Sequence, residues 1–338
     1  MSAPTAPAPH LVKWLTRLHR PALSVWTSLV LVLGALLLWL RGPLTDGSAR
    51  AWEQYNACAI SGPCHYNQYA ILLYKDVYQY TTLAVLAVPF LVAAWAGGSL
   101  IGREMESGTA RLAWTQGISP TRWLAAKLAV PTVLVTVGTG ALVLLHHAMW
   151  SAGDGRIDTA KPWYSFETFY AGGTVPVALA LAGLAAGALV GLVQGRSPAA
   201  LGAGLGITGL LWFGIQQALP HLWPTVTRVS SLRDGPKGSG IGVETGLLTS
   251  SGARIGDQGC LSGATDECRA ALDRVDAVGY YTDYHPRSHY WPLQLVASGL
   301  LLVVTALLVL AAFRLLRRRT TAPARATTPS PAREETAV

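Results

Sequence analysis

Few residues of this 338-residue chain have side chains and spacings suited to chemistry. His146 and His147 are adjacent inside an apolar run. Neighbours on a helix point about 100° apart, so the two do not converge on one metal ion. They read as interfacial or bundle-facing histidines, with a proton or substrate role as the alternative. The four cysteines stand as C-x5-C (Cys58, Cys64) and C-x7-C (Cys260, Cys268). These spacings suit two local disulfides, Cys58–Cys64 and Cys260–Cys268, with two crossed pairings also open. A four-thiolate zinc site is the rival, but neither pair has the short spacing of a zinc knuckle, so no metal site is expected. A phosphate-cradling loop needs a Gly-Lys pair, and none of the lysines follows a glycine; H-E-x-x-H is also missing. Gly202, Gly204 and Gly206, like Gly238, Gly240 and Gly242, do not sit between a strand and a helix, and read as packing and loop glycines. The chain is therefore expected to be no enzyme and to bind no cofactor of its own.

The most informative stretch runs from Gly102 to Leu128, GREMESGTARLAWTQGISPTRWLAAKL. It alternates charge (Arg103, Glu104, Glu106, Arg111) with apolar and aromatic groups (Leu112, Trp114, Trp123), a pattern suited to lying along a membrane surface. Such an element can take a push from a partner, with Glu104 and Glu106 meeting basic groups and Trp114 filling a pocket. Interfacial anchoring is the simpler account, since Trp and Arg favour headgroups.

The elements that must position these residues are apolar helices. Of the chain, 51% is hydrophobic and only 13% charged, against about 25% charged in soluble domains. A bilayer core of ~30 Å needs about 20 apolar residues in a helix. Charge-free runs predict six spans, at about 21–40, 78–101, 128–150, 168–194, 199–219 and 291–313. Stretches such as LVLVLGALLLWL and LLLVVTALLVLAAF lack the polar face that a buried helix of a soluble core would present. No acid or base interrupts an apolar core, which argues against a proton-coupled carrier.

Orientation follows from charge. With both termini cytoplasmic, the inside segments hold Lys13, Arg17, Arg20, Arg103, Arg111, Arg122, Lys127, Arg196, Arg314, Arg317, Arg318, Arg319, Arg325 and Arg333. The outside segments hold most of the acids and all four cysteines. The count obeys the positive-inside rule, and the exterior is the oxidising side. The net charge of +8 thus reflects leaflet-facing arginines, not a nucleic-acid patch.

This predicts an organisation in five parts. Residues 1–20 form a cytoplasmic amphipathic segment, with Leu11, Trp14, Leu15 and Leu18 at helical spacing. Residues 21–219 hold five spans, with an inside loop at 103–127. Residues 220–290 form a small extracellular cap, 291–313 the sixth span, and 314–338 a basic, disordered cytoplasmic tail. In the fourth span Gly183, Gly187, Gly191 and Gly195 recur every four residues, and Gly202 and Gly206 do so in the fifth. Small residues at this spacing let helix backbones approach closely.

Gly102, Arg103, Glu104, Glu106, Gly108, Thr109, Arg111, Leu112, Trp114, Thr115, Gln116, Arg122, Trp123, Leu124 and Lys127 together closely resemble the loop of permease subunits of type-2 class ABC-type exporters, especially those of high-GC Gram-positive bacteria. A second match is YHPRSHYWPLQ, where His285, Pro286, Tyr290, Trp291 and Gln294 look like that family's entry into its last span. Pro120 departs from the pattern and is expected to break the helix locally. The resemblance implies that Arg103, Glu104, Glu106, Gly108, Thr109, Arg111, Trp114, Gln116, Arg122 and Trp123 form a coupling element docking on a separate ATPase subunit, which would bind ATP and Mg²⁺. It also implies that the N-terminal amphipathic helix is a connecting helix.

The fold expected is thus an all-α membrane protein, with six transmembrane helices and a small extracellular cap before the last. The function expected is the plasma-membrane permease half of an ATP-driven exporter, for a hydrophobic or amphipathic substrate. Its partners would be an ABC ATPase subunit, a second permease copy or homologous permease, and membrane lipid, with no nucleic acid. The alternative is a membrane receptor or resistance sensor whose outer piece binds a ligand without transport. An intramembrane enzyme would need clustered acids or histidines that the sequence lacks.

Overall fold

A computed structural model of the chain describes residues 20–58, 64–256 and 266–321. Residues 1–19, most of the expected N-terminal amphipathic segment, lie outside the described residues, as do 322–338 and Cys260. Six helices in the described residues are long and apolar enough to cross a membrane: Arg20–Asn56, Gln68–Glu106, Pro120–Gly153, Val175–Gln194, Ser197–His221 and Arg287–Thr320. Most are longer than the charge-free runs, because a helix continues past the hydrocarbon wherever its polar ends find partners.

The first span joins α1 (Arg20–Trp39) to α2 (Thr45–Asn56) through a π-helical turn, Leu40–Leu44. Pro43 lies in that turn and has no N–H to donate. The Leu40 carbonyl accepts both the Thr45 backbone N–H and, at 2.6 Å, the Thr45 hydroxyl. The second span joins α3 (Gln68–Trp95) through a second π segment, Ala96–Gly102, to the single turn α4 (Arg103–Glu106). After α5 (Thr109–Thr115) the third span is the unbroken helix α6 (Pro120–Gly153). The fourth is preceded by a short helix, α7 (Phe166–Ala171), and is itself α8 (Val175–Gln194); the fifth is α9 (Ser197–Ala218) with a 3-10 turn to His221. The sixth is α11 (Tyr290–Thr321), entered by a 3-10 turn. The arginines from Arg314 to Arg319 are thus helical, and Arg319 donates to the Leu192 and Val193 carbonyls, which end the fourth span.

α8 is the centre of the bundle. Of its most apolar window 83% is buried, against 22% for the first, fifth and sixth spans. It packs on α3 and the π segment after it, on α6, α9 and α11. Its glycine row makes this possible: a Cβ on Gly187 would fall 2.5 Å from the Ala93 carbonyl oxygen, and Gly183 and Gly191 meet the same helix one turn to either side. Gly195 does not belong to that row. It ends the helix in the left-handed region (φ 60°), where glycine is favoured. On α9 the close approach is made by Gly204 against Ala93, while Gly202 and Gly206 face open space.

The fourth span begins later than its charge-free run because the chain breaks between α7 and α8. Gln294 of α11 closes that break. Its Nε2 donates to the Phe169 carbonyl at 2.7 Å, and its Oε1 accepts from the Val175 N–H at 3.1 Å. Gly173 leaves room for it, since a Cβ there would lie 2.1 Å from the amide carbon of Gln294.

Residues 226–285 correct the all-α expectation. They hold β1 (Val226–Ser231), β2 (Ile241–Thr249), β3 (Arg254–Gly256) and β4 (Ala277–His285) in one antiparallel sheet of order β1-β4-β2-β3, with α10 (Asp266–Arg274) before β4. The glycine and acid content of this piece masked its strand-formers, Val-Thr-Arg-Val in β1 and Tyr-Tyr-Thr in β4. Leu247, Leu272 and Tyr280 form a small core of their own. The sheet is tied to the fifth span by His285, whose Nε2 lies 3.1 Å from the Pro220 carbonyl and whose Nδ1 lies 3.2 Å from Nδ1 of His289. Burial, with the positive charge available to His289 and His221, pushes the His285 imidazole below its ordinary value.

Two outcomes follow. Gln294→Leu strands two buried backbone groups, each costing about 1–3 kcal/mol; thermal unfolding in detergent should show a clear loss of stability. His285 favours its neutral form when folded. Its contribution is therefore full above the unfolded value of about 6.5 and is lost as pH falls through the lowered folded value. Protection factors of the β4 amides, corrected for the slower intrinsic exchange at low pH, should fall as pH is lowered from 7.5 to 5, and the same comparison in His285→Asn should show a smaller change.

Candidate functional site

The loop between the second and third spans is a rigid bracket. Two left-handed glycines punctuate it, Gly108 (φ 75°) between α4 and α5 and Gly117 (φ 92°) after α5. The end of α5 is closed by Gly117 N–H to Trp114 O and by Ile118 N–H to Ala113 O, a Schellman-type arrangement. Pro120, expected to break a helix, starts one. It occupies the first turn of α6, where a missing N–H costs nothing, and the Ser119 side chain accepts from the Arg122 N–H at 3.3 Å.

Glu104 and Glu106 both have partners within the chain. Glu104 forms an ion pair with Lys127, whose side chain is fully buried while that of Glu104 is 14% exposed. The Glu106 carboxylate accepts from the Ser197 N–H at 2.9 Å, at the start of α9. A carboxylate there meets the positive end of the helix dipole. These contacts join the bracket to the third and fifth spans, and covalent continuity joins it to the second.

Trp114 also turns inward. It is half-buried and packs edge-to-face on buried Trp123, with ring centroids 5.7 Å apart at 85°. On α5 Arg111, Leu112, Thr115 and Gln116 are exposed, with Arg103, Thr109 and Arg122 exposed nearby; of these, Arg111, Thr115 and Arg122 face away from the bundle, whereas Arg103, Thr109, Leu112 and Gln116 border the cavity beneath it. Leu112 is 57% exposed although apolar. Beneath α5 a cavity of about 970 Å³ opens between the first three spans. Trp26, Leu91, Trp95 and Leu134 line its apolar part, and Arg103 and Gln116 its polar end.

Among the other expected site residues, Cys58 and Cys64 are joined by a disulfide. Cys268 is disulfide-bonded as well. His146 and His147 point apart. His146 is fully buried with Nε2 3.0 Å from the Thr82 hydroxyl, whereas His147 lies among Trp150, Tyr290 and Trp291. Among the described residues no cluster of three or more His, Cys, Asp or Glu could hold a metal ion. Sequence reasoning placed Lys127 and Gln294 in the two resembling stretches but gave neither a partner within the chain. Lys127 carries one visible signal, a lone charge followed by the long uncharged run of α6.

A family model described as ABC-2 membrane transporter related matches residues 27–220, from the first span to the end of the fifth. No curated protein and no solved structure matches the chain.

The buried pair gives a direct check on the bracket. Removing one member of a buried ion pair leaves an uncompensated charge and costs about 3–5 kcal/mol, whereas replacing both by apolar groups of similar volume is often neutral. Lys127→Met should therefore destabilise the chain strongly in detergent unfolding. Lys127→Met combined with Glu104→Leu should recover most of that loss.

Proposed function

The chain belongs to the ABC-2 membrane transporter related family, and from that premise we propose that it is the permease subunit of an ATP-driven exporter. In this reading the exposed edge of α5 docks on a separate ATPase subunit, which binds ATP and Mg²⁺ and carries out hydrolysis. The observation that carries the reading is the bracket. An element with an exposed apolar-basic edge is tied to three spans at once, by continuity with the second, by Glu104–Lys127 to the third and by Glu106–Ser197 to the fifth. A displacement of α5 is thereby delivered to helix ends rather than absorbed in a loop.

The docking residues would be Arg111, Leu112, Thr115 and Gln116, with Arg103, Thr109 and Arg122 at the margin. Glu104, Glu106, Gly108, Trp114 and Trp123 would hold the edge in place. ATP drives the cycle only if the ATPase binds the two membrane conformations with different free energies. The π segment Ala96–Gly102 stands directly before the bracket, and such segments are frequent at functional sites.

The apolar walls of the 970 Å³ cavity support a hydrophobic or amphipathic cargo. The largely exposed, apolar first and fifth spans fit a surface for lipid and for a second copy or related permease. Both termini would lie in the cytoplasm, since the helix end carrying Arg314, Arg317, Arg318 and Arg319 belongs at an anionic leaflet. The Cys58–Cys64 disulfide and the sheet would then face the exterior, the sheet as a cap over the exit side.

Arg111→Glu with Thr115→Asp, both exposed and outside the cavity lining, should abolish co-purification of the ATPase from mild detergent and stop export of an amphipathic dye, with normal membrane levels of the chain. Undiminished association and transport in that variant would refute the docking assignment.

A further inference from the structure

A second concavity lies beside the sheet-proximal ends of the spans, remote from the α5 bracket. It has a volume of about 190 Å³. Trp150, Trp163, Tyr290 and Trp291 wall it, and His146 and Thr168 contribute polar groups. The aromatic walls hold one another edge-on: Tyr290 packs on Trp163 with centroids 6.0 Å apart at 85°, and on Trp291 at 5.2 Å and 83°.

His146 is the decisive residue. It is fully buried, its Nε2 engages the Thr82 hydroxyl at 3.0 Å, and its Nδ1 is buried with no hydrogen-bond partner. That nitrogen faces Gly172, another lining residue: a Cβ on Gly172 would lie 3.6 Å from it. An unpartnered polar atom in such a place is costly unless something bonds to it. The bundle goes to some length to satisfy the neighbours, since Thr168 is bonded to both Ser165 (2.8 Å) and Tyr78 (2.6 Å).

From this geometry we infer that the pocket binds a neutral single-ring aromatic molecule bearing a hydroxyl group, held by the ring walls and by a hydrogen bond to His146 Nδ1. Three features select that class. A dry apolar cavity of about 150 Å³ accommodates benzene, so 190 Å³ leaves room for a ring with one small substituent. Edge and face contacts with Trp and Tyr suit another ring. A hydroxyl both donates and accepts, so it satisfies Nδ1 in either tautomer that the Thr82 contact permits. Aromatic boxes also recognise cations, but in this one the Trp150 face is already occupied by the Arg287 guanidinium at 5.2 Å. Arg287 is itself paired with Asp154 at 3.1 Å, so the rim offers no free positive charge to select an anion.

The test uses the full chain in lipid nanodiscs and 4-fluorophenol, followed by fluorine NMR, with fluorobenzene as the arm that lacks the hydroxyl and empty nanodiscs as the partition control. Saturable, protein-dependent binding of 4-fluorophenol is expected, with affinity falling about tenfold or more in His146→Leu and with fluorobenzene binding weakly and indifferently to that change. Tenfold corresponds to loss of one good hydrogen bond to a buried group. Gly172→Ala, at an ordinary backbone angle (φ −96°), narrows the space before Nδ1 and should weaken 4-fluorophenol as well. It decides the matter if His146→Leu does not give a monodisperse protein. Binding no greater than in empty nanodiscs, equal affinity for the two probes, or affinity unchanged in the folded variants would overturn the inference.

Discussion

In the hydrocarbon of a bilayer there is no water to complete a broken hydrogen-bond ladder, so every interruption of a helix must be closed by the protein. This chain interrupts or ends its helices repeatedly, and at four of these places a named side chain meets the backbone groups. Thr45 serves the π turn around Pro43, Gln294 bridges the gap between α7 and α8, Glu106 takes the first amide of α9, and Arg319 serves the last carbonyls of α8. All of these closures but that of Thr45 connect different spans. The same bonds that satisfy the backbone therefore fix the order of the bundle, with α8 gripped at its start by α11 through Gln294 and at its end by α11 again through Arg319.

Close backbone approach is the second consequence. Helices in lipid gain little from burying leucine that the lipid would bury anyway, so association depends on contact area and on small residues. The row Gly183, Gly187 and Gly191 sets α8 against the backbone from Pro89 to Gly102. That run contains the π segment and leads directly into the bracket. The innermost helix thus rests on the one segment whose end presents the exposed edge of α5. A tight, rigid contact of this kind transmits displacement, because packed surfaces slide or hold but do not compress.

Six spans were legible because absence of charge is a one-dimensional property, readable without knowing any neighbour. The bracket was legible as a motif for the same reason. What escaped the sequence was everything decided by a partner far along the chain. Glu104 and Glu106 look like surface acids until Lys127 and Ser197 are brought beside them. Trp114 looks free to fill another protein's pocket until Trp123 covers it. Gly195 continues an i+4 row on paper, but the helix ends there and the residue turns left-handed. The sheet escaped for a different reason: its strands are short and broken by glycine, so composition outweighed the local runs of β-branched and aromatic residues. Pro120 shows the opposite error, since a proline is a breaker or a starter according to whether a cap precedes it, and Ser119 does.

The Lys127–Glu104 pair raises the question of why a charged contact stands where an apolar one could pack equally well. Stability alone does not explain it, because apolar replacements of buried ion pairs are often as stable or more so. Directionality is the better account. Apolar side chains would let α4 rest against α6 in several registers, each burying similar area. A single ammonium and a single carboxylate permit one, and leaving it exposes a buried charge. The pair therefore favours one seating of α4 on α6, since any other leaves both charges to be rehydrated or buried unpaired. Under the proposed function, a joint with one preferred seating at the point where an outside push would enter the bundle would pass that push to the third span rather than absorb it by sliding.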